Sequence, residues 1–272
     1  MTTLSTPLID THCHLDAPEF DPDRDAVVER AQAAGVSIVV VPAINAATFE
    51  LSLSMRRYGC PVALGLHPIC TPQHRDEHLT TLRELLERER PIAVGEIGLD
   101  FFVPGLDAQR QTDLFAAQLK LARDFDLPVL LHVRKSQDQV LKQLRRFGLR
   151  RGIAHAFNGS PQQAEAFISL GFKLGFGGNM SFERARNIRR LAADLPLESL
   201  VLETDSPDIP PAWAYHDRNE PAHLARLARV LAELRESEPE RIAAATSANA
   251  CEVLGLTLKS AAAFTAPSVI SH

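Results

Sequence analysis

The chain has 272 residues, of which 45% are hydrophobic, and its formal net charge is −5. That length suits one large α/β domain with a sizeable core. The charge balance, without any block of like charges, gives no support to a highly basic nucleic-acid binder, while leaving room for a locally positive groove. Cys13, Cys60, Cys70 and Cys251 are scattered with no C-x-x-C pair and read as reduced thiols. The N-terminal M-T-T-L-S-T-P lacks a basic region followed by an apolar stretch, and no apolar run could span a bilayer. The expectation is a cytoplasmic protein without membrane contact.

Strand-like and helix-like runs alternate along the chain. Short Val/Ile/Leu-rich runs bounded by Gly or Pro predict strands over 8–14, 36–44, 62–67, 92–97, 128–133, 152–156, 172–176 and 200–204. Between them lie amphipathic stretches. Leu79, Leu82, Leu85 and Leu86 recur at helical spacing in 76–90, and Leu114, Phe115, Leu119 and Ala122 do so in 109–123. Further helices are predicted over 22–34, 46–58, 136–147, 161–170, 183–193, 221–235 and 239–253, with Gly35, Gly148 and Gly171 as C-terminal stops. Repeated βα units with eight strands predict a (β/α)8 TIM barrel over residues 1–258. The aperiodic tail, 259–272, is expected to be loosely ordered. The rival is an open doubly wound sheet. It would spread strand ends along a line, whereas a barrel gathers them around one mouth.

That distinction matters because polar residues follow the apolar runs. His12 and His14 alternate with Cys13 at the end of the first strand, so both imidazoles share a face. Glu96 stands between Gly95 and Gly98, where a buried carboxylate must be paired or metal-bound. His132 and His155 end consecutive strands, and Asp205 ends the eighth. Four imidazoles and two carboxylates exceed the needs of one ion and suffice for two. The two oxygens of Glu96 could bridge such a pair, and Asp205 could also take a proton from an attacking water. The bland alternatives are satisfied core histidines, a structural salt bridge for Glu96 and an N-cap for Asp205. Glu203 and Asp10 read as supporting groups, with Asp10 placed to orient an imidazole. His67 in G-L-H-P is a candidate for contacting phosphate or water, or for stabilising a turn. Arg134 is a candidate for pairing with a phosphate, or for a surface salt bridge. Phe101 and Phe102 are candidates for base stacking, or for packing over the barrel rim.

Read together, the strings D-T-H-C-H-L-D at 10–16, G-L-H-P at 65–68, A-V-G-E-I-G-L-D at 93–100, L-P-V-L-L-H-V-R at 127–134, H-A-F-N-G-S at 155–160 and L-E-T-D-S-P at 202–207 resemble the TatD family of metal-dependent hydrolases, within the amidohydrolase-like superfamily. They appear in the family's order. The resemblance implies two divalent metal ions per chain, one on His12, His14 and Asp205, the other on His132 and His155, with Glu96 as the bridge. It implies a hydrolase whose water is activated by metal, acting as a deoxyribonuclease that trims single-stranded nucleic acid from an end. Some relatives act instead as D-aminoacyl-tRNA deacylases, so an amide or ester substrate is the enzymatic alternative, and a non-catalytic metal-binding barrel is the other. Imidazole-rich ligands suit zinc, manganese, iron or nickel better than magnesium, although family nucleases are often assayed with magnesium.

Overall fold

The computed structural model describes residues 4–257 and 264–266. Its strands and helices run β1 (Leu8–Asp10), α1 (Arg24–Ala33), β2 (Val36–Val39), β3 (Val41–Pro42), α2 (Phe49–Ser54), β4 (Val62–Leu64), α3 (Glu77–Glu89), β5 (Ala93–Asp100), α4 (Ala108–Asp124), β6 (Val129–Arg134), α5 (Gln137–Phe147), β7 (Gly152–Ala154), α6 (Pro161–Ser169), β8 (Phe172–Phe176), α7 (Arg186–Asp194), β9 (Leu200–Leu202), α8 (Leu224–Leu234) and α9 (Pro239–Leu254). β3 through β9 form a parallel sheet in sequential order, and β1 pairs in parallel with β2. The predicted strand 36–44 is thus one run divided at Val40. Val40 N–H donates to the Asp10 carbonyl at 2.9 Å on one side, while Val41 N–H donates to Pro61 at 2.9 Å on the other. The free edges meet where Thr11 N–H donates to Leu202 (3.1 Å) and Asp205 N–H to His12 (2.8 Å). Counting β2 and β3 as one strand, this closes the eight-stranded TIM barrel the alternation predicts.

Two apolar layers hold the barrel. The larger lies between strands and helices and includes the predicted Leu82, Leu85, Leu86, Leu114, Phe115, Leu119 and Ala122. The second draws Ile9, Ile38, Ala63, Ala93, Leu130, Ile153 and Val201 from seven strands and joins them to Ala250, Val253 and Leu254 of α9. These strand residues point inward, and α9 plugs the barrel at the end away from the strand tips. Alternation then assigns the next inward positions. Leu130 is followed by His132 and Arg134, Ile153 by His155, and Val201 by Glu203 and Asp205. On β5 the pairing with β6 shifts between Val94 and Ile97, which is how Glu96 reaches the inner face. Gly98 permits the close approach there, since a Cβ at that position would strike the His132 carbonyl.

Several ladders are shorter than predicted. β1, β4, β7 and β9 end at Asp10, Leu64, Ala154 and Leu202, before His12, His67, His155 and Asp205. The tips leave regular pairing to turn their side chains to the axis, while β5 runs on to Asp100. The predicted loose tail differs at Phe264–Ala266. Phe264 is buried in the outer core, the Gln32 side chain donates to its carbonyl, and Thr265 N–H donates to Tyr58 O at 3.1 Å. Residues 259–263 and 267–272 of that tail lie outside the described residues. Among the described residues no helix is long and apolar enough to cross a membrane.

Candidate metal centre

All six of the predicted ligand-type residues converge on the axis at the strand tips, and Glu96 sits at their centre. Its side chain is buried, and its two oxygens face different neighbours. Oε2 lies 3.1 Å from His12 Nε2 and 3.5 Å from His14 Nε2, and Asp205 Oδ1 stands 3.6 and 3.7 Å from those same nitrogens. Oε1 lies 2.8 Å from His155 Nε2 and 3.0 Å from both His132 Nδ1 and His67 Nε2. His67 therefore touches the cluster directly, while its other nitrogen accepts the Ile69 N–H of the turn that follows.

Hydrogen bonds on the far side of each ring fix where lone pairs point. His14 Nδ1 faces the Pro42 carbonyl at 3.2 Å, which can only accept, so Nδ1 keeps a proton and the neutral ring turns its Nε2 lone pair to the centre. His132 Nε2 faces Asp100 Oδ2 at 2.9 Å, which likewise makes Nδ1 the inward lone pair of the neutral ring. His67 is the reverse. Ile69 N–H donates to its Nδ1 at 3.1 Å, so a neutral His67 presents an N–H, not a lone pair, to Glu96. His12 Nδ1 and His155 Nδ1 are buried without a hydrogen-bond partner. Glu203 backs His155 at 3.8 Å and accepts the Ala156 N–H, with Gly175 leaving room for its carboxylate.

The surroundings shift these groups strongly. Burial pushes Glu96 up, but the imidazoles of His67, His155 and His12 outweigh it and hold the carboxyl well below the usual range. Burial pulls His14 and His155 down, yet the carboxylates facing them, Glu96 first, raise His14 to about 9 and His155 to about 10. Burial dominates at His12 and His67, which fall to about 3 and about 4. Burial raises Asp205. Such a set of inward imidazole lone pairs and carboxylates, closely packed in the barrel, has the chemistry of a divalent-cation site. His12, His14 and Glu96 form one group able to hold an ion, as do His12, His155 and Asp205; His67, Glu96 and His132 lie as close together, but the proton on His67 Nε2 keeps that ring from ligating.

The mouth above this cluster is a cavity of about 910 Å³ lined by His67, Phe102, Arg134 and Lys135 among others. Phe102 is exposed and lies under the Arg134 guanidinium, 4.0 Å from its ring centre. Phe101 instead packs against the outer core. Asp10 does not touch an imidazole. It accepts the backbone N–H groups of His12 (3.2 Å) and Thr204 (3.0 Å), together with the Thr204 hydroxyl, and so ties β1 to the chain leaving β9.

Sequence reasoning gave no role to Asp100, Gln111 or Gln118. Asp100 shares the inward alternation of Glu96 and Gly98, and its other oxygen accepts the N–H groups of Phe102 and Val103 at 2.8 and 2.9 Å. Gln111 and Gln118, seven residues apart on the buried face of α4, clamp the strand tips. Gln111 bonds both backbone groups of Asp100 (2.8 and 2.9 Å), and Gln118 both those of Leu66 (2.6 and 3.1 Å). Polar residues inside an otherwise apolar helical stripe were the available signal. Gln118→Leu should strand a buried donor and acceptor and destabilise the fold by about 2–4 kcal/mol. Urea unfolding checks this, and a change below ~1 kcal/mol would mean that water replaces the clamp.

A closed barrel with a buried His/Glu/Asp cluster at its C-terminal mouth is the architecture of metal-dependent hydrolases, and comparison specifies which. Residues 9–255 match the family model described as TatD related DNase. The chain is 45% identical over 242 residues to the Escherichia coli K12 protein described as uncharacterized metal-dependent hydrolase YjjV, covering 87% of this chain and 93% of that one. A crystal structure of an E. coli K12 TatD homolog, YJJV, superposes with a TM-score of 0.89 at 43% identity, covering 92% and 98% of the two chains. The 3'-5' ssDNA/RNA exonuclease TatD of Erwinia amylovora is 33% identical over 260 residues, with 92% of this chain and all of that one covered. The chain belongs to the TatD family of metal-dependent hydrolases.

Proposed function

We propose that this protein is a two-metal phosphodiesterase that shortens single-stranded nucleic acid from an end. The observation carrying the proposal is the division of Glu96, whose two oxygens face two separate sets of nitrogens. One cation would be held by His12, His14 and Asp205, and the other by His132 and His155, with Glu96 shared. Divalent cations in such a pair lower the pKa of water and neutralise charge on phosphoryl oxygens. The chain's own residues do the rest. Asp205, raised by burial, accepts a proton on the side that lines the mouth cavity. Asp100 fixes the ring of His132, and His67 offers an N–H beside the reacting group. Arg134, stacked on Phe102, is placed to bind a phosphate, and Phe102 rather than Phe101 is placed to meet a base. The names borne by relatives, exonuclease and deoxyribonuclease, support phosphodiester substrates over carboxylic esters. Imidazole-rich coordination favours zinc, manganese, iron or nickel over magnesium.

The test is a substrate panel with metal-reconstituted protein: linear single-stranded DNA, RNA, D-aminoacyl-tRNA and a small ester. Shortening of the single strands supports the reading. Deacylation or ester hydrolysis without phosphodiester cleavage overturns it.

Protonation gives a further expectation. His14 and His155 carry protons at neutral pH in the metal-free protein, because their values lie above the ordinary 6.5. Ligation requires the neutral rings, so metal uptake should release protons and affinity should rise with pH until about 10. Without metal, the same shifts stabilise the fold below about pH 6.5, and that contribution fades as pH rises through about 9 for His14 and about 10 for His155. Calorimetry of metal binding in buffers of differing ionisation enthalpy measures the protons released. Binding without proton release at pH 7 would contradict the assigned ring states.

A further inference from the structure

The charged residues lining the mouth outside the metal cluster are Asp16, Glu19, Arg134, Lys135 and Asp208. Their signs are segregated by topology. Arg134 and Lys135 stand at the tip of β6, the fifth strand of the ring. Asp16 and Glu19 lie in the connection after β1, four places round and therefore directly across the mouth. Asp208 follows β9, the strand beside β1. Glu19, Arg134, Lys135 and Asp208 are exposed, and among the described residues none of their side chains forms an ion pair. The cations are therefore free for an anionic ligand, and the carboxylates on the far wall are uncompensated. Apolar side chains also open onto the cavity. Leu51, Ile69 and Phe102 line it, and they are three of the four large hydrophobic residues exposed on the described surface.

We infer that this polarised rim makes the mouth a one-ended seat for a polynucleotide. The strand enters over Arg134 and Lys135, its last nucleotides rest against Leu51, Ile69 and Phe102, and the carboxylates of Glu19 and Asp208 bar the chain from continuing across. A polyanion threading the whole mouth must bring phosphates against that far wall, where a cleft's low-dielectric sides strengthen repulsion. A chain that terminates over the metal cluster meets only the cationic side. The requirement for an end is then electrostatic, set by the rim and not by the metal ligands. This inference rests on the phosphodiesterase reading above.

Binding and cleavage test it separately. Metal-free protein in EDTA is titrated against fluorescent linear and circular single-stranded DNA of equal length and sequence. The linear strand should bind at least tenfold tighter, the difference shrinking as salt rises. Glu19→Gln/Asp208→Asn should bring the circle close to the linear strand, and Arg134→Ala/Lys135→Ala should weaken both. With metal-loaded protein, the all-phosphate circle should resist cutting. A circle with methylphosphonates on one side of a single phosphodiester should be cut at that diester, since its neutral flank crosses the acidic wall. Equal binding of circle and linear strand by the native protein overturns the inference. So does persistent discrimination in a folded Glu19→Gln/Asp208→Asn variant, which would make the barrier steric. Failure to bind or cut even the linear strand would instead sink the phosphodiesterase reading.

Discussion

Glu96→Gln should weaken both cations together. Glutamine preserves size but removes the charge that both donor sets share and replaces one oxygen by an NH2 that cannot ligate. Removing one member of a buried, compensated charge cluster costs about 3–5 kcal/mol, or roughly 10²–10⁴ in affinity. The two groups are affected alike because Oε1 and Oε2 each serve one of them. Turnover should fall by at least as much, and the far-ultraviolet dichroism should be unchanged, because the inner apolar layer with α9 lies away from the strand tips. Metal analysis after desalting measures the stoichiometry. Retention of one tightly held ion per chain would show that Glu96 serves a single cation, and the two-metal proposal would have to be abandoned in this form.

How far a sequence discloses such a centre depends on which residues act along the strand and which act across the barrel. His132, His155 and Asp205 follow from alternation alone, because each lies an even number of residues beyond an inward apolar residue of its own strand. His12 and His14 were legible as a pair because two-residue spacing puts both on one face, although His12 lies three residues beyond the inward Ile9 and alternation from there would turn it away. Glu96 was legible by its chemistry, but not by its alternation. Ala93 points inward, and only the shift in pairing with β6 turns Glu96 the same way. Register slips of this kind depend on the neighbouring strand and leave little trace in the local pattern. The closed barrel itself followed from the count of βα units, while the ladder ends did not. Those ends are set by where the chain must leave its partner to aim a side chain at the axis.

What stayed hidden was pairwise and distant. Asp100 supports His132 from 32 residues away, and Gln118 clamps Leu66 from 52 away. His67 illustrates the same point. Its motif marks it as a contact for phosphate or water, or as a turn stabiliser, and the backbone N–H of Ile69 decides which of its nitrogens carries the proton. Nothing in the order of residues conveys that choice, since it depends on the turn at Pro68 bringing Ile69 N–H back to the ring.

Asp205→Ala should abolish turnover while sparing one part of the metal site. Asp205 stands at the open edge of the cluster, its side chain more accessible than that of Glu96. It follows β9 with a positive φ of 57°, an unusual conformation for a residue other than Gly that turns the carboxylate over the His12 and His14 nitrogens. Burial raises its pKa, while Glu96 is held low by its imidazoles, so of the two carboxylates Asp205 is the one better suited to take a proton. Loss of a positioned general base costs about 10²–10⁴ in rate, and loss of one donor from the His12–His14 group adds to it. The inward nitrogens of His132 and His155 keep Glu96 Oε1 at 3.0 and 2.8 Å, so an ion held there should be weakened less, by the loss of Asp205 beside His155 alone. Asp205→Asn separates the two roles, since the amide oxygen can still ligate but cannot take up the proton. The expected result is near-native metal content with turnover down by about 10²-fold or more and a lost acidic limb in the pH–rate profile. If Asp205→Asn retains both metal and rate, the proton goes elsewhere, and Glu203 behind His155 becomes the group to test.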